Sequence, residues 1–191
     1  MMLSFLMLAC TQVPEPQGND SATTVGGIPT GEQLIQDTIP TIASSTPCDA
    51  CGGDCLLEEL VYTEHYHTRE PIDYASTPPA GGPHNPCWAT WGEHTEPVLD
   101  DNFVHNLEHG AVAFVYGDSA LQAPGDALAK DLAKYTFTTP YAKQSSAMTA
   151  LAWAWRLSLG CFDDPTLRDF YTAHANQAPE SNLTDPGAGC M

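Results

Sequence analysis

Six of the seven histidines fall in one stretch of the chain, and two pairs of them have the spacing of metal ligands. The pairs are His65-x-His67 and His105-x-x-x-His109. Imidazole is the commonest protein ligand for transition metals. This clustering predicts a metal site. The histidines of the stretch are His65, His67, His84, His94, His105 and His109.

The local elements expected around the two pairs would make each pair converge. Residues 60–67 mix β-branched and aromatic residues in alternation, which predicts a strand with His65 and His67 on one face. If the second pair lies on one helical turn, the i, i+4 spacing places His105 and His109 on one face as well. Each pair could therefore direct two imidazoles at a single ion.

A fifth candidate ligand, His84, follows two glycines and a proline, and glycine allows a tight backbone path toward a site. Five ligands exceed the three or four that a closed site needs, so some of them support the others or the site is binuclear. An imidazole-rich set suits copper or zinc, and the sequence does not choose between the two metals. The predicted ligands are His65, His67, His84, His105 and His109.

Three further side chains receive different expectations. Glu108 could be a base acting on metal-bound water, and the slightly favoured alternative is that it holds a ligand imidazole in place. His94 lies in a polar stretch and is expected to be a solvated loop residue. His174 falls on a helix face and is expected to pack. A third alternative is that the histidines only build a hydrogen-bonded core without metal.

Cysteine usage predicts export. Cys10 ends a short apolar run, which is typical of a bacterial lipoprotein signal, and we expect it to carry a lipid; an ordinary cleaved signal is the alternative. Six cysteines remain, an even number that predicts up to three disulfides in an oxidising compartment. The spacing of Cys48, Cys51 and Cys55 could instead belong to a zinc site, but a second nearby cysteine pair is lacking.

The composition divides the chain into three parts. Residues 1–10 are a lipoprotein-like signal remnant, residues 11–47 are a flexible tether rich in Pro, Gly, Ser and Thr, and residues 48–191 are a single histidine-rich globular domain. The formal charge of −18 excludes nucleic acid as a natural partner. The expected location is the cell envelope, on its periplasmic or extracellular face, with the membrane reached through the lipid on Cys10.

The remaining hydrophobic patterns predict an α+β fold, in which a small, mainly antiparallel sheet has helices packed on one side and a long Pro/Gly loop lies near the site. The loop is expected over residues 76–97. The other predicted elements are strands over 111–116, 135–139 and 147–159, and helices over 126–134 and 165–175. Over 147–159 the alternation favours a strand, and the alanines leave a helix as the alternative.

Two histidine motifs resemble a known bacterial family. Pro78-Pro79-Ala80-Gly81-Gly82-Pro83-His84 and His105-Asn106-Leu107-Glu108-His109-Gly110 are similar to the patterns of the family called domain of unknown function 3105. Trp91-Gly92, Ala152-Trp153 and Ala178-Pro179-Glu180 are also similar, so the resemblance covers roughly residues 60–180. This chain has Ala80 and Gly81 where the family usually has Thr and Ser. The resemblance implies an exported, often membrane-attached domain and implies no activity.

The sequence thus predicts an exported protein that binds copper or zinc for capture, buffering or delivery. One alternative is a metal-dependent envelope enzyme, a hydrolase or a redox enzyme. The other is a structural envelope domain without metal. A nucleophile elbow, a phosphate-binding Gly-rich loop and a His-Glu-x-x-His zinc helix are all missing from the sequence.

Overall fold

The computed structural model describes residues 35–132, 134–181 and 187–191. The predicted signal remnant, Cys10 and most of the predicted tether lie outside the described residues. The described helices are α1 (Asp100–Glu108), α2 (Gln122–Leu132) and α3 (Asp164–His174). The described strands are β1 (Ile35–Gln36), β2 (Thr41–Pro47), β3 (Cys55–Val61), β4 (Ile72–Asp73), β5 (Cys87–Trp88), β6 (Gly92–Glu93), β7 (Val112–Tyr116), β8 (Thr136–Pro140), β9 (Met148–Ala152), β10 (Trp155–Leu159) and β11 (Gly189–Cys190).

Seven of these strands form the central sheet, in the order β2-β3-β10-β9-β7-β8-β6. Its neighbours pair antiparallel from β2 to β7, and β8 pairs parallel to β7 and to β6. Helix α2 makes the crossover that a parallel β7–β8 pair requires. The predicted α+β class with a mainly antiparallel sheet is confirmed.

Strand β7 is buried along its whole length because helices cover both faces of the sheet. Alternate residues contact opposite layers. Val112 and Phe114 belong to a core with Leu128 of α2 and Leu167 of α3. Ala113 and Val115 belong to a second core with Phe103, Val104 and Leu107 of α1. Helices α2 and α3 therefore share one face, whereas α1, the helix that carries the histidine pair, packs on the other. The prediction that the helices pack on one side of the sheet is wrong in this detail.

Two predicted strands differ from the structure in their extent. The strand predicted over residues 60–67 ends at Val61, because β10 begins opposite Glu59 and β2 begins opposite Val61, so neither neighbour offers a partner beyond it. The continuous alternation over residues 147–159 is an antiparallel hairpin of β9 and β10, with Ala154 in its turn at φ 65°. Ordered structure also begins before Cys48, since β2 pairs with β3 inside the predicted tether range.

The six described cysteines form three disulfides, as predicted. The pairs are Cys48–Cys55, Cys51–Cys161 and Cys87–Cys190. The alternative of a zinc site at residues 48–55 is therefore wrong, because disulfide sulfurs are not available as thiolate ligands. Disulfides are typical of proteins outside the cytoplasm. Among the described residues, each helix is too short or too polar to cross a bilayer.

Candidate metal centre

Five side chains lie close together and are called the histidine cluster below: His67, His84, His105, Glu108 and His109. The C-terminal half of α1 supplies His105, Glu108 and, at the helix end, His109. Phe103, Val104 and Leu107 anchor the other side of this helix in the core. His105 lies three residues before Glu108 and four before His109, so all three side chains project from one face. The predicted helical turn is present, and it is the last turn of the helix.

Two loops supply the remaining members. His67 and His84 form an isolated parallel bridge, outside the regular strands. The amide of Thr68 donates to the His84 carbonyl at 2.8 Å, and the amide of His84 donates to the Tyr66 carbonyl at 3.0 Å. These bonds hold the two loops side by side, so that the rings of His67 and His84 lie 4.8 Å apart between centroids.

Four side chains converge closely enough to hold one ion. The ligand atoms of His67, His84, His105 and Glu108 all lie within 4.8 Å of one another. Oε2 of Glu108 lies 2.9 Å from Nε2 of His84 and 3.5 Å from Nε2 of His67. His109 adjoins this group, because its Nε2 lies 2.9 Å from Nε2 of His105.

Backbone carbonyls fix the tautomers of three rings. In each ring Nδ1 faces a carbonyl oxygen, so Nδ1 carries the hydrogen and donates it. In His105 and His109 the neutral ring then has an unshared electron pair on Nε2, the atom that faces the cluster, whereas Nε2 of His84 faces the carboxylate of Glu108 and donates to it when it carries a proton. This is the arrangement in which an outer hydrogen bond orients a metal-ligating histidine. The donor and acceptor pairs are His84 with Gly82 at 2.9 Å, His105 with Asn85 at 2.7 Å, and His109 with Glu180 at 3.0 Å.

The contact between His105 and His109 is stable only if a positive charge lies between or beside their Nε2 atoms. Two Nε2 atoms with unshared pairs repel each other at 2.9 Å unless a proton or another cation lies between them. Burial, together with the neighbouring His84 and His109, lowers the pKa of His105 to about 3. A proton on His105 is therefore disfavoured at neutral pH, and a metal cation would satisfy both nitrogens.

Glu108 adds a negative ligand to the cluster. Burial would raise the pKa of this carboxyl, but the hydrogen bond from His84 and the proximity of the other histidines outweigh burial and hold its pKa below the ordinary value. Glu108 is therefore ionised at neutral pH. A buried carboxylate requires a compensating charge, which either a histidinium or a metal ion can supply.

The cluster is closed on most sides and open at one. The side chain of His84 is fully buried and that of Glu108 is 4 % exposed, whereas the side chain of His67 is 33 % exposed. Trp88 contacts the rings of His105 and His109 edge-on at 5.3 and 5.6 Å. His67 thus marks the side from which an ion could enter.

The other histidines lie apart from the cluster. His65 is exposed and contacts Trp153, with ring centroids 5.8 Å apart, so it does not share a strand face with His67. His94 bonds the carbonyl of Thr90 at 2.9 Å in a partly exposed loop. His174 packs against aromatic rings of the core, and burial lowers its pKa.

The sequence could not indicate every group that builds this centre. Three of the anchors are main-chain carbonyls, and a carbonyl has no residue-type signal. Glu180 is the exception, because the motif Ala178-Pro179-Glu180 marks the segment whose carbonyl holds His109. Trp88 was missed, although it follows Cys87 directly in the predicted Pro/Gly loop.

The fold and the cluster define a class: an α+β domain with a buried group of imidazoles and one carboxylate at the end of a helix. The model of the family described as "Protein of unknown function (DUF3105)" matches residues 65–187, more than half of the chain. The chain belongs to this family. No curated protein and no solved structure matches it.

Proposed function

We propose that this chain binds one transition-metal ion, copper or zinc, at the histidine cluster. The observation that carries the proposal is the shared orientation of His84, His105 and His109. Each ring uses Nδ1 to bond a backbone carbonyl and turns Nε2 toward the cluster. A core built only from hydrogen bonds would pair each Nε2 with a donor, whereas His105 and His109 present acceptors to each other.

The donor atoms restrict the choice of metal. Imidazole nitrogens with one carboxylate oxygen suit zinc, copper(II) and related divalent ions. All six described cysteines are in disulfides, so the thiolate that favours copper(I) is not offered by them. In this proposal His67, His84, His105 and Glu108 bind the ion. His109 completes the site by approaching the same ion beside His105.

The proposed cellular setting follows from the cysteines. Three disulfides favour an oxidising compartment, and Cys10 at the end of an apolar run would attach the chain to a membrane through a lipid. The charge of −18 favours cations near the surface. A tethered, acidic domain with a site open at His67 is suited to capturing or delivering a metal ion in the envelope.

Titration of the metal-free protein with copper(II) and zinc, in competition with a chromophoric chelator, tests the proposal. We expect one equivalent to bind to the wild type. His84→Ala and His105→Ala should each weaken binding by at least about tenfold, since each removes a ligand. His94→Ala is the matched control, because it removes an imidazole that bonds a loop carbonyl outside the cluster. Equal affinity in all four proteins would defeat the proposed site.

One observation also favours a metal-dependent enzyme, the second candidate. The 33 % exposure of His67 leaves a route for a small molecule to the ion. An enzyme needs an open coordination position, whereas a storage site does not. Azide added to the copper(II)-loaded protein separates the two functions. A new charge-transfer absorption band supports an open position, and an unchanged spectrum supports binding alone.

A further inference from the structure

The residues at 187–191 cover the side of Trp88 that faces away from the histidines. Strand β11 pairs with β5, placing Gly189 opposite Trp88 and Cys190 opposite Cys87. A β-carbon at Gly189 would overlap the indole ring, so only glycine allows the backbone to lie so close. Trp88 is thus held between this segment and the two rings of His105 and His109.

Hydrogen bonds join this segment to the loop that carries Trp88. The indole Nε1 of Trp88 donates to the Gly187 carbonyl at 2.8 Å, and the amide of Met191 donates to the Pro86 carbonyl at 2.9 Å. The β5–β11 ladder is two residues long. A ladder of this length is not stable alone. The disulfide Cys87–Cys190 adds a covalent cross-link between the segment and the wall of the cluster.

We propose that this disulfide regulates the metal site: the histidine cluster binds its ion tightly only while Cys87 and Cys190 are joined. The inference rests on the proposed metal binding and adds regulation of that binding by the redox state of the disulfide. The reactant that opens the bond is a dithiol.

The disulfide is placed for exchange with an external thiol. Cys190 is exposed, whereas every other described cysteine is partly or fully buried. On the inner side, Nη1 of Arg69 lies 3.9 Å from Sγ of Cys87. A guanidinium beside a sulfur stabilises the thiolate, and a stabilised thiolate is a better leaving group. The chain has only six Lys and Arg residues, so few of its side chains could place a positive charge beside a cysteine sulfur.

The reaction is a two-step exchange. A thiolate of the dithiol attacks Sγ of Cys190, the disulfide breaks, and the electron pair leaves on Sγ of Cys87 beside Arg69. The second thiol of the reagent then attacks the mixed disulfide and releases Cys190. The protein gains two electrons and, once its thiolates are protonated, two protons; the dithiol becomes a cyclic disulfide.

Reduction should loosen the cluster without dismantling it. The segment 187–191 would lose its covalent cross-link to Cys87, and Trp88 would lose part of its outer support. The backbone of the inner side would stay in place, because Nδ2 of Asn102 donates to the Cys87 carbonyl at 2.6 Å and the amide of Asn106 bonds both main-chain groups of Ala89. Loss of such outer support costs metal sites about 10–100-fold in affinity.

The test compares two double variants in the metal titration. Cys87→Ser/Cys190→Ser removes the disulfide that is proposed to regulate the site. Cys51→Ser/Cys161→Ser is the control, because it removes another disulfide of similar sequence separation, 110 against 103 residues. Cys51 packs on the core covered by α2 and α3, away from the core of α1. Serine variants avoid free dithiol, which would itself bind the metal. We expect at least about tenfold weaker binding for the first variant and unchanged binding for the control.

The outcomes separate the two proposals. A wild type that binds no metal defeats the proposed function. A wild type and a Cys87→Ser/Cys190→Ser variant that bind equally defeat only the regulation, as does an equal loss in both double variants. If the first variant is unfolded by circular dichroism, wild type partly reduced by dithiothreitol, alkylated and freed of reagent replaces it. Arg69→Gln should slow reduction of Cys87–Cys190 while leaving the affinity of the oxidised protein unchanged; an unchanged rate would refute the exchange route.

Discussion

The Nε2 atoms of His105 and His109 lie 2.9 Å apart, and each ring already donates its Nδ1–H to a backbone carbonyl. The helix sets this relationship, because residues four apart lie on the same face. The carbonyls then prevent either ring from turning its donor inward. A cation between or beside the two nitrogens resolves the repulsion, which is why the pair is central to the proposed site.

The two histidines of the His65-x-His67 pair should behave differently on substitution. His67→Ala should weaken metal binding by at least about tenfold, because its ring belongs to the group within 4.8 Å. His65→Ala should leave the affinity unchanged, since His65 contacts Trp153 outside that group. The competition titration measures both. An equal loss of metal affinity in the two variants would mean that His65 and His67 both bind the ion, as their spacing in the sequence predicted.

Glu108→Gln should reduce metal affinity while keeping the fold. The amide matches the carboxyl in shape but removes the negative charge that Glu108 carries at neutral pH. We expect a loss of about tenfold or more, measured by the same titration. Glu96→Gln is the control, because it makes the same substitution at an exposed loop residue. If both variants bind as the wild type does, the carboxylate is not part of the site.

The metal-free protein should lose stability as the pH falls below 6.5. The folded pKa of His105 is about 3, lowered first by burial, so between these values the unfolded chain binds a proton that the folded chain does not. The free energy of unfolding then falls by up to about 1.4 kcal/mol per pH unit for this proton. Urea denaturation of chelator-treated protein at pH 7.5, 6 and 5 measures the slope.

His105→Gln supplies the control for this slope. It removes the titrating group, so its stability should depend less on pH over the same range. Measuring no lower than pH 5 keeps folded Glu108 ionised throughout, because the pKa of its carboxyl lies below the ordinary value. Identical slopes for wild type and variant would mean that His105 is not the buried neutral base that the structure describes.

The sequence predicted the parts of the centre that depend on the spacing of residues close together in the chain. The i, i+4 spacing located His105 and His109 on one helical face, and the glycine-rich approach to His84 lies beside the cluster. It was wrong about the strand beyond Val61, since a strand continues only where a partner exists, and neither β2 nor β10 extends past that residue. The pairing of His105 with the carbonyl of Asn85 and of His109 with the carbonyl of Glu180 was beyond reach, because tertiary packing selects these two partners.

Cys10→Ser should move the protein from the membrane fraction to the soluble fraction. The prediction follows from the apolar run before Cys10 and from the even number of cysteines that remain, all of which are paired. Fractionation of cells with immunodetection measures the change, and metal affinity of the released domain should be the same. Mass spectrometry that finds Cys10 unmodified in the wild type would contradict the lipid anchor.

Elemental analysis of protein purified from its native envelope, without chelator, tests the central claim most directly. Wild type and a His84→Ala/His105→Ala variant are compared by inductively coupled plasma mass spectrometry, with folding checked by circular dichroism. The account predicts about one equivalent of copper or zinc in the wild type and at least about tenfold less in the folded variant. A wild type without bound transition metal, or equal metal content in both folded proteins, would contradict it.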